Sequence, residues 1–356
     1  MIEKRNWHNL GLLLIGCLIC LALWNKTSNP SISPDIPIFS RSITVYKLYT
    51  QNTSGHHNQF LYLPEKDYTQ LIDLDFNFTL VNFGCNETNN ALLLLVLVHS
   101  SPKNVAKRRT IRETWGKKDD NVKLLFLVGS VNSTEIQNIL EDENSLHNDI
   151  IQGSFLDTYR NITYKHVMAF KYAIYHCPQA KYILKTDDDV FVNMPTMIKF
   201  LTFDLSPYGA SNVLFCTPRF NSKVLRSYRS KWRVSFSEYP YRVYPTYCPG
   251  WALLYSPDVI YALYKEAQKT DYFWIDDIHI TGTLTEKLSI LHTDIEYLVL
   301  SEKNLGSIVE NSQNVSVPFL YGRANMRDKE IRALWNFSML HDSPKFIFRD
   351  VERKYI

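Results

Sequence analysis

The chain has 356 residues and a formal net charge of +3, long enough for one large or two modest domains that bury a substantial core. Its Lys and Arg residues are spread along the sequence without a polybasic run, which argues against a nucleic-acid partner. Aromatic residues make up 13% of the chain, with 22 Tyr, a composition suited to stacking on carbohydrate.

Lys4 and Arg5 precede an uninterrupted apolar run over residues 10–24 (LGLLLIGCLICLALW). It is short for a bilayer span but sufficient when its flanks snorkel, and no small-x-small cleavage site follows. Residues 1–9 read as a cytoplasmic tail and 10–24 as an uncleaved transmembrane signal anchor, with the remainder translocated. Eight Asn-x-Ser/Thr triplets agree with a secretory lumen and are candidate glycosylation sites: Asn25, Asn52, Asn77, Asn86, Asn132, Asn161, Asn314 and Asn336. Cys17 and Cys20 lie in the anchor, where acylation is one option. Cys85, Cys177, Cys216 and Cys248 remain for an oxidising space, where four cysteines allow three pairings, and none has zinc-ligand spacing.

Residues 25–70, rich in Ser, Thr and Asn with Pro30, Pro34 and Pro37, read as a lumenal stem. Residues 71–83 alternate enough for a strand packed on the domain that follows, which is assigned to 71–340, leaving 341–356 as a tail. From residue 91 strands and helices alternate. ALLLLVLVHS is a buried strand, after which Ser101-Pro102 predicts a cap for a helix over 104–115 that Gly116 stops. Strand 122–128 precedes a helix capped by Asn132 or Ser133 that runs to about His147. A short strand near Ile150 leads to a helix over 158–176, with Ile162, His166, Ala169, Phe170 and Ala173 on one face. That helix feeds a strand from Lys181. Beyond Pro195 the order loosens, with strands predicted at 212–217 and 251–255, an irregular aromatic stretch over 228–247, and a helix from Ser256-Pro257 to about Lys269. A last helix is expected over 276–287, and the pattern after Glu302 is mixed and reads as surface. The alternation implies an α/β fold, a mostly parallel sheet flanked by helices.

The strand from Lys181 ends in Asp187-Asp188-Asp189 and turns apolar again. Ligands of open α/β sheets bind at the carboxyl ends of strands. Three adjacent carboxylates repel one another unless a cation sits among them, and all-oxygen ligands suit Mg²⁺ or Mn²⁺, so the run reads as a metal site serving a diphosphate. A solvated acidic turn is the alternative. Arg109 and Arg112, one helical turn apart, could reach a pyrophosphate or fix their helix to a carboxylate neighbour. Asp276-Asp277 is a second acid pair, fit either to remove a proton or to cap a helix.

Five blocks occur in an order that resembles the β-1,3-galactosyltransferase family, which also contains β-1,3-N-acetylglucosaminyltransferases. They are Arg-Arg-x-x-Ile-Arg-x-Thr-Trp-Gly over 108–116, Phe-Leu-Asp-Thr-Tyr-Arg-Asn-Ile-Thr over 155–163, Lys-Thr-Asp-Asp-Asp-Val-Phe-Val-Asn over 185–193, the Tyr-Pro and Tyr-Cys-x-Gly segments over 239–250, and Asp-Asp-Ile over 276–278. The resemblance covers roughly 71–291. It implies a GT-A (Rossmann-like) glycosyltransferase, a single-pass type II protein of the Golgi membrane that transfers a hexose from a UDP-sugar with inversion. The product would carry a new β-1,3 linkage on the glycan of a glycoprotein or glycolipid. Galactose is the favoured sugar and N-acetylglucosamine the alternative, while a silent glycan-binding protein is the rival from another class. Carried over by position, Asp189 and Asp187 resemble the metal ligands for Mn²⁺ or Mg²⁺. Asp187, Asp188, Lys185, Arg109 and Arg112 resemble the donor-binding set. Asp277, with Asp276 beside it, resembles the general base. Trp232, Tyr247, Gly250 and Trp251 match the block lining the sugar and acceptor cleft. The sequence departs from the family where Gly-x-Gly-Tyr reads Gly250-Trp251-Ala252-Leu253, filling space where a glycine leaves room, and at Ile278-His279. It also lacks the downstream His expected as a further metal ligand, His292 lying too near the base.

Overall fold

The apolar run ending at His99 becomes the middle of an eight-stranded sheet in the computed structural model, which describes residues 46–50, 77–82, 85, 92–310 and 318–341. The apolar stretch 10–24, most of the stem, the tail beyond 341 and the sequons at Asn25, Asn52, Asn86 and Asn314 lie outside the described residues. Among the described residues no helix is long and apolar enough to cross a membrane.

The first strands are β1 (Lys47–Leu48), β2 (Phe78–Leu80) and β3 (Leu94–His99), followed by helix α1 (Val105–Glu113). Next come β4 (Val122–Ser130), α2 (Thr134–His147), β5 (Ile150–Leu156), α3 (Ile162–His176) and β6 (Tyr182–Asp187). Then follow α4 (Met194–Lys199), β7 (Ala210–Ser211), β8 (Leu214–Cys216), β9 (Ala252–Tyr255) and α5 (Pro257–Ala267). The chain closes with α6 (Asp276–Ile278), α7 (Thr285–Leu288), β10 (Thr293–Asp294), α8 (Glu302–Val309) and α9 (Asp328–Leu340). The main sheet runs β10-β8-β9-β6-β3-β4-β5-β2, and β1 pairs with β7 separately. β3 is parallel to β4 and β6, β4 is parallel to β5, and β9 runs antiparallel between β6 and β8.

Side-chain alternation along the strands feeds a core on each face. Leu94, Val96 and Val98 of β3 join Ile111, Trp115, Met197 and Leu334 on one side, whereas Leu95 and Leu97 join Val167, Phe170 and Leu263 on the other. Every residue of β3 is buried, as a central parallel strand requires.

Several elements differ from expectation. Residue 101 is not the helix cap: Ser101 and Pro102 form a turn, Asn104 N–H donates to Ser101 O at 2.9 Å, and the helix starts at Val105. Ser133 does cap α2, accepting from Ile136 N–H at 3.4 Å. Past Pro195 the chain is more ordered than expected. Asn193 accepts from Thr196 N–H at 3.4 Å and starts α4, which passes into a π-turn over Phe200–Leu205 that buries Phe200, Leu201 and Leu205. The helix expected over 276–287 is broken into α6, a π-turn over His279–Leu284, and α7. The C-terminal region is core rather than surface: Ile331 and Leu334 of α9 are buried, Arg332 pairs with Glu113, and Lys117 lies 5.3 Å over the Trp335 ring. Of the three possible disulfide pairings, the structure contains Cys85–Cys177 and Cys216–Cys248.

Candidate functional site

The carboxyl ends of β3 and β6 stop side by side, with His99 opposite Asp187, and the acidic run turns there. The turn sends its three carboxylates to different places. Asp188 points inward, its side chain 7% exposed, and accepts from Ser100 Oγ at 2.7 Å, Asn104 Nδ2 at 2.8 Å and Lys107 Nζ at 3.1 Å. It therefore braces the start of α1 against the sheet. Asp187 and Asp189 stay at the open side, and Lys107 also reaches Asp189 Oδ2 at 3.4 Å. Asp187 keeps 37% of its side chain exposed, yet the protein crowded around it, with the charges of Asp276 and Asp189, raises its pKa against the pull of Lys185.

Lys185 joins this run to the second acid pair. Its side chain is 2% exposed, and its ammonium donates to Gly250 O at 2.7 Å and Asp187 Oδ1 at 3.0 Å, with Asp276 Oδ2 at 3.9 Å. Burial alone would lower its pKa, but the surrounding Asp187, Asp276 and Asp277 raise it, so Lys185 stays charged. Gly250 is a close approach: a Cβ there would lie 2.5 Å from Asp277 Oδ1 and 2.7 Å from Lys185 Nζ. The two acid sets thus meet around one ammonium and one glycine.

Asp276 and Asp277 open α6 with unlike surroundings. Burial works to raise Asp276, but the hydrogen bond from His166 Nδ1 at 3.0 Å and the Lys185 charge outweigh it and hold the carboxyl at about 2. Asp277 is raised well above the usual carboxylate value, first by burial and then by the neighbouring Asp276 charge. His166 is fully buried, its pKa lowered chiefly by burial, and its Nε2 lies 3.4 Å from Tyr255 Oη. A neutral His166 therefore donates its Nδ1–H to Asp276.

The remaining expected residues divide. Arg112 donates to both carboxylate oxygens of Asp149 at 2.8 Å and to Glu143 at 2.7 Å, while buried Arg108 also holds Glu143, at 2.5 Å. The arginine block thus fixes its helix to carboxylate neighbours, and Arg109 points outward, exposed. Of the two roles expected of this pair, Arg112 fills the second, holding its helix to carboxylate neighbours. Trp232, 44% exposed, donates Nε1–H to Tyr159 Oη at 2.6 Å. The Tyr159 ring, 46% exposed, meets Trp274 edge-on at 5.7 Å two residues ahead of Asp276; partial burial and the charges of Asp277, Asp276 and Asp187 push its hydroxyl up to about 12 against the Trp232 hydrogen bond. Tyr247 packs in the aromatic cluster with Tyr244 and Trp274. Trp251 turns to the other core and meets Tyr321 edge-on at 6.3 Å, so its bulk does not crowd Asp277. Of the described sequons, Asn132 and Asn336 are exposed, Asn77 lies exposed beside β2, and the Asn161 amide already donates to Leu156 O at 2.9 Å.

Sequence reasoning missed Lys107, Tyr159 and the role of His166. Lys107 was hidden among the cations of its block, and His166 registered only as one position on an apolar helical face.

Among the described residues no three His, Cys, Asp or Glu side chains cluster as a complete metal cage. His292 is turned away, its Nε2 held 2.6 Å from Thr281 O. Asp187 and Asp189 supply hard oxygen donors at the open side, which fits Mg²⁺ or Mn²⁺ held by one or two carboxylates and completed by phosphate.

The chain matches the family model described as Galactosyltransferase over residues 106–296, from the first turn of α1 to just beyond β10. It is 35% identical over 222 residues to UDP-GalNAc:beta-1,3-N-acetylgalactosaminyltransferase 1 of Rattus norvegicus, an alignment covering 60% of this chain and 66% of that protein. It is 32% identical over 249 residues to Beta-1,3-galactosyltransferase 5 of Homo sapiens, covering 69% and 75%. Among solved structures, the glycosyltransferase GlyE of Streptococcus pneumoniae TIGR4 aligns with a TM-score of 0.36 and 13% identity, over 75% of this chain and 60% of that one. On the strength of the family model and the sequence relatives, the chain belongs to the galactosyltransferase family.

Proposed function

We propose that this chain transfers a hexose from a UDP-sugar to the 3-hydroxyl of an acceptor glycan, forming a β-1,3 linkage with inversion. The observation that carries this reading is the meeting of two separate acid sets, Asp187 and Asp276-Asp277, around Lys185. A transfer of this kind needs one group to hold the departing diphosphate and another to take the acceptor's proton.

Asp277 is assigned the proton. Its raised pKa makes it a stronger base than an ordinary carboxylate, and Asp276, held ionised by His166 and Lys185, keeps it so. The missing Cβ at Gly250 lets the Asp277 carboxylate sit close against the backbone there. A divalent cation at Asp187 and Asp189, completed by diphosphate oxygens, would neutralise the charge growing on the leaving UDP. Lys107 and Lys185 add positive charge on that side, and Tyr159 with Trp232 forms an aromatic wall by the base.

The relatives' names carry both galactose and N-acetylgalactosamine, which share the orientation of the C4 hydroxyl and differ at C2. A galacto-configured donor, with galactose first, is therefore the preferred assignment over N-acetylglucosamine. The apolar run at 10–24, the sequons and the two disulfides support a type II, lumen-facing Golgi protein. The test is UDP release by the purified protein with Mn²⁺ and each of UDP-galactose, UDP-N-acetylgalactosamine and UDP-N-acetylglucosamine. Metal-dependent release from a galacto-configured donor is expected. Silence with all three would instead favour a glycan-binding protein.

A further inference from the structure

The segment 219–243 holds seven Lys or Arg residues against one acid, Glu238, a surplus of six in a chain whose total is +3. The rest of the chain is therefore net negative, and the positive charge is concentrated on this one loop. Glu238 does not balance it, because its carboxylate is taken by Arg160 at 2.6 Å and by Ser235. Lys223, Arg229, Lys231 and Arg242 are exposed, and none has a carboxylate partner among the described residues.

The loop has a defined shape. Arg226 donates to four carbonyls, Val234 O at 2.9 Å and Ser235 O, Tyr239 O and Tyr241 O at 2.7 Å, drawing the two arms together. Val234 and Tyr244 are buried in an aromatic cluster with Trp274 beneath it. On the outside, rings and cations are interleaved: Arg233 lies 3.8 Å over Tyr228 and Lys231 4.4 Å over Trp232. Trp232 in turn donates to Tyr159, whose ring meets Trp274 edge-on at 5.7 Å two residues ahead of Asp276, so the loop borders the acid pair to which the acceptor hydroxyl is assigned.

We propose that this loop selects an acceptor glycan carrying a carboxylate or a sulfate ester close to the sugar that receives the transfer. Aromatic faces stack on sugar rings of any charge, whereas unpaired cations favour only an anionic ligand. The inference rests on the transferase reading above, since it identifies the loop with the acceptor side of the same site.

The test is calorimetric titration of the full-length protein with lactose, 6′-sialyllactose and 6′-sulfolactose, alongside turnover with the same probes. Two or three exposed ion pairs predict about tenfold tighter binding of a charged probe than of lactose at low salt. The difference should vanish in about 0.5 M NaCl, where exposed charges are screened. It should also vanish in the triple variant Lys223→Gln, Arg229→Gln, Arg242→Gln, with a melting curve confirming that the variant folds. Preference for both charged probes supports recognition of charge alone, and preference for the sialylated probe alone supports a carboxylate. Equal or undetectable affinity for all three overturns the proposal, as does a preference that survives the triple substitution. Charge-dependent binding to phosphatidylserine vesicles without discrimination among the probes also overturns it, making the loop a membrane surface. Charge-selective binding with no transfer from any donor would reject the transferase reading alone.

Discussion

Asp276 and Asp277 are adjacent and chemically identical, and their surroundings drive them apart. The His166 hydrogen bond and Lys185 hold Asp276 at about 2, while burial and the Asp276 charge lift Asp277. The folded protein therefore contains one fixed anion beside one carboxyl that holds its proton more firmly. As the proposed base, Asp277 would act only when unprotonated, so kcat/KM should fall as pH drops through a value above the ordinary carboxylate range. His166→Leu removes the donor to Asp276, which then takes a proton more readily and lifts Asp277 less. Its acid limb should move to lower pH, with kcat reduced on the order of 10-fold and donor KM unchanged. His166→Asn, which can still present an N–H to Asp276, should restore most of both. A profile identical to wild type in the Leu variant would show that His166 only fills space. Gly250→Ala is a second residue-level prediction: the methyl must displace Asp277 or Lys185, and kcat should fall about 100-fold in a protein that still folds. Retained turnover would mean that those side chains yield freely.

Helix α1 is the element on which the acidic run depends. Its first turn supplies Asn104 and Lys107 to Asp188, and its later residues supply Arg108 and Arg112 to Glu143 and Asp149. Glu143→Ala leaves the buried Arg108 guanidinium without its carboxylate and should cost about 3–5 kcal/mol, read as a lowered melting temperature. A loss under 1 kcal/mol would show that the pairing is incidental. This helix also shows where sequence reading ends. Continuous apolar runs place β3, β4 and β6, a cap places α2, and an apolar helical face places α3. They could not say which carboxylate would meet Arg112, since Glu143 and Asp149 lie over thirty positions away. Met194 and Met197 in α4 and Ile331 and Leu334 in α9 recur at helical spacing, but the loop-like residues that flank them mask the pattern in the sequence. The acids at 187, 189, 276 and 277 were legible from type and position. Their joining through Lys185 was not, because it is a tertiary contact between segments about ninety residues apart in sequence.

At the scale of the molecule, the sheet places the carboxyl end of β6 against the segment leading into β9, and the Cys216–Cys248 disulfide anchors that segment just before Gly250. One end of the sheet therefore carries Asp187 and Asp189 on one side of Lys185 and Asp277 on the other, with the basic aromatic loop alongside. On the proposed reading this geometry divides the labour: one side would retain the nucleoside diphosphate and the other would deprotonate the acceptor. The most direct measurement is UDP affinity in Mn²⁺ together with transfer rate, compared among wild type, Asp189→Asn and Asp277→Asn. Metal-dependent UDP binding should be lost in Asp189→Asn. Asp277→Asn should bind UDP as wild type does and lose about 10²–10⁴-fold in transfer. Near-normal transfer by Asp277→Asn, or undiminished metal-dependent UDP binding by Asp189→Asn, would contradict the account.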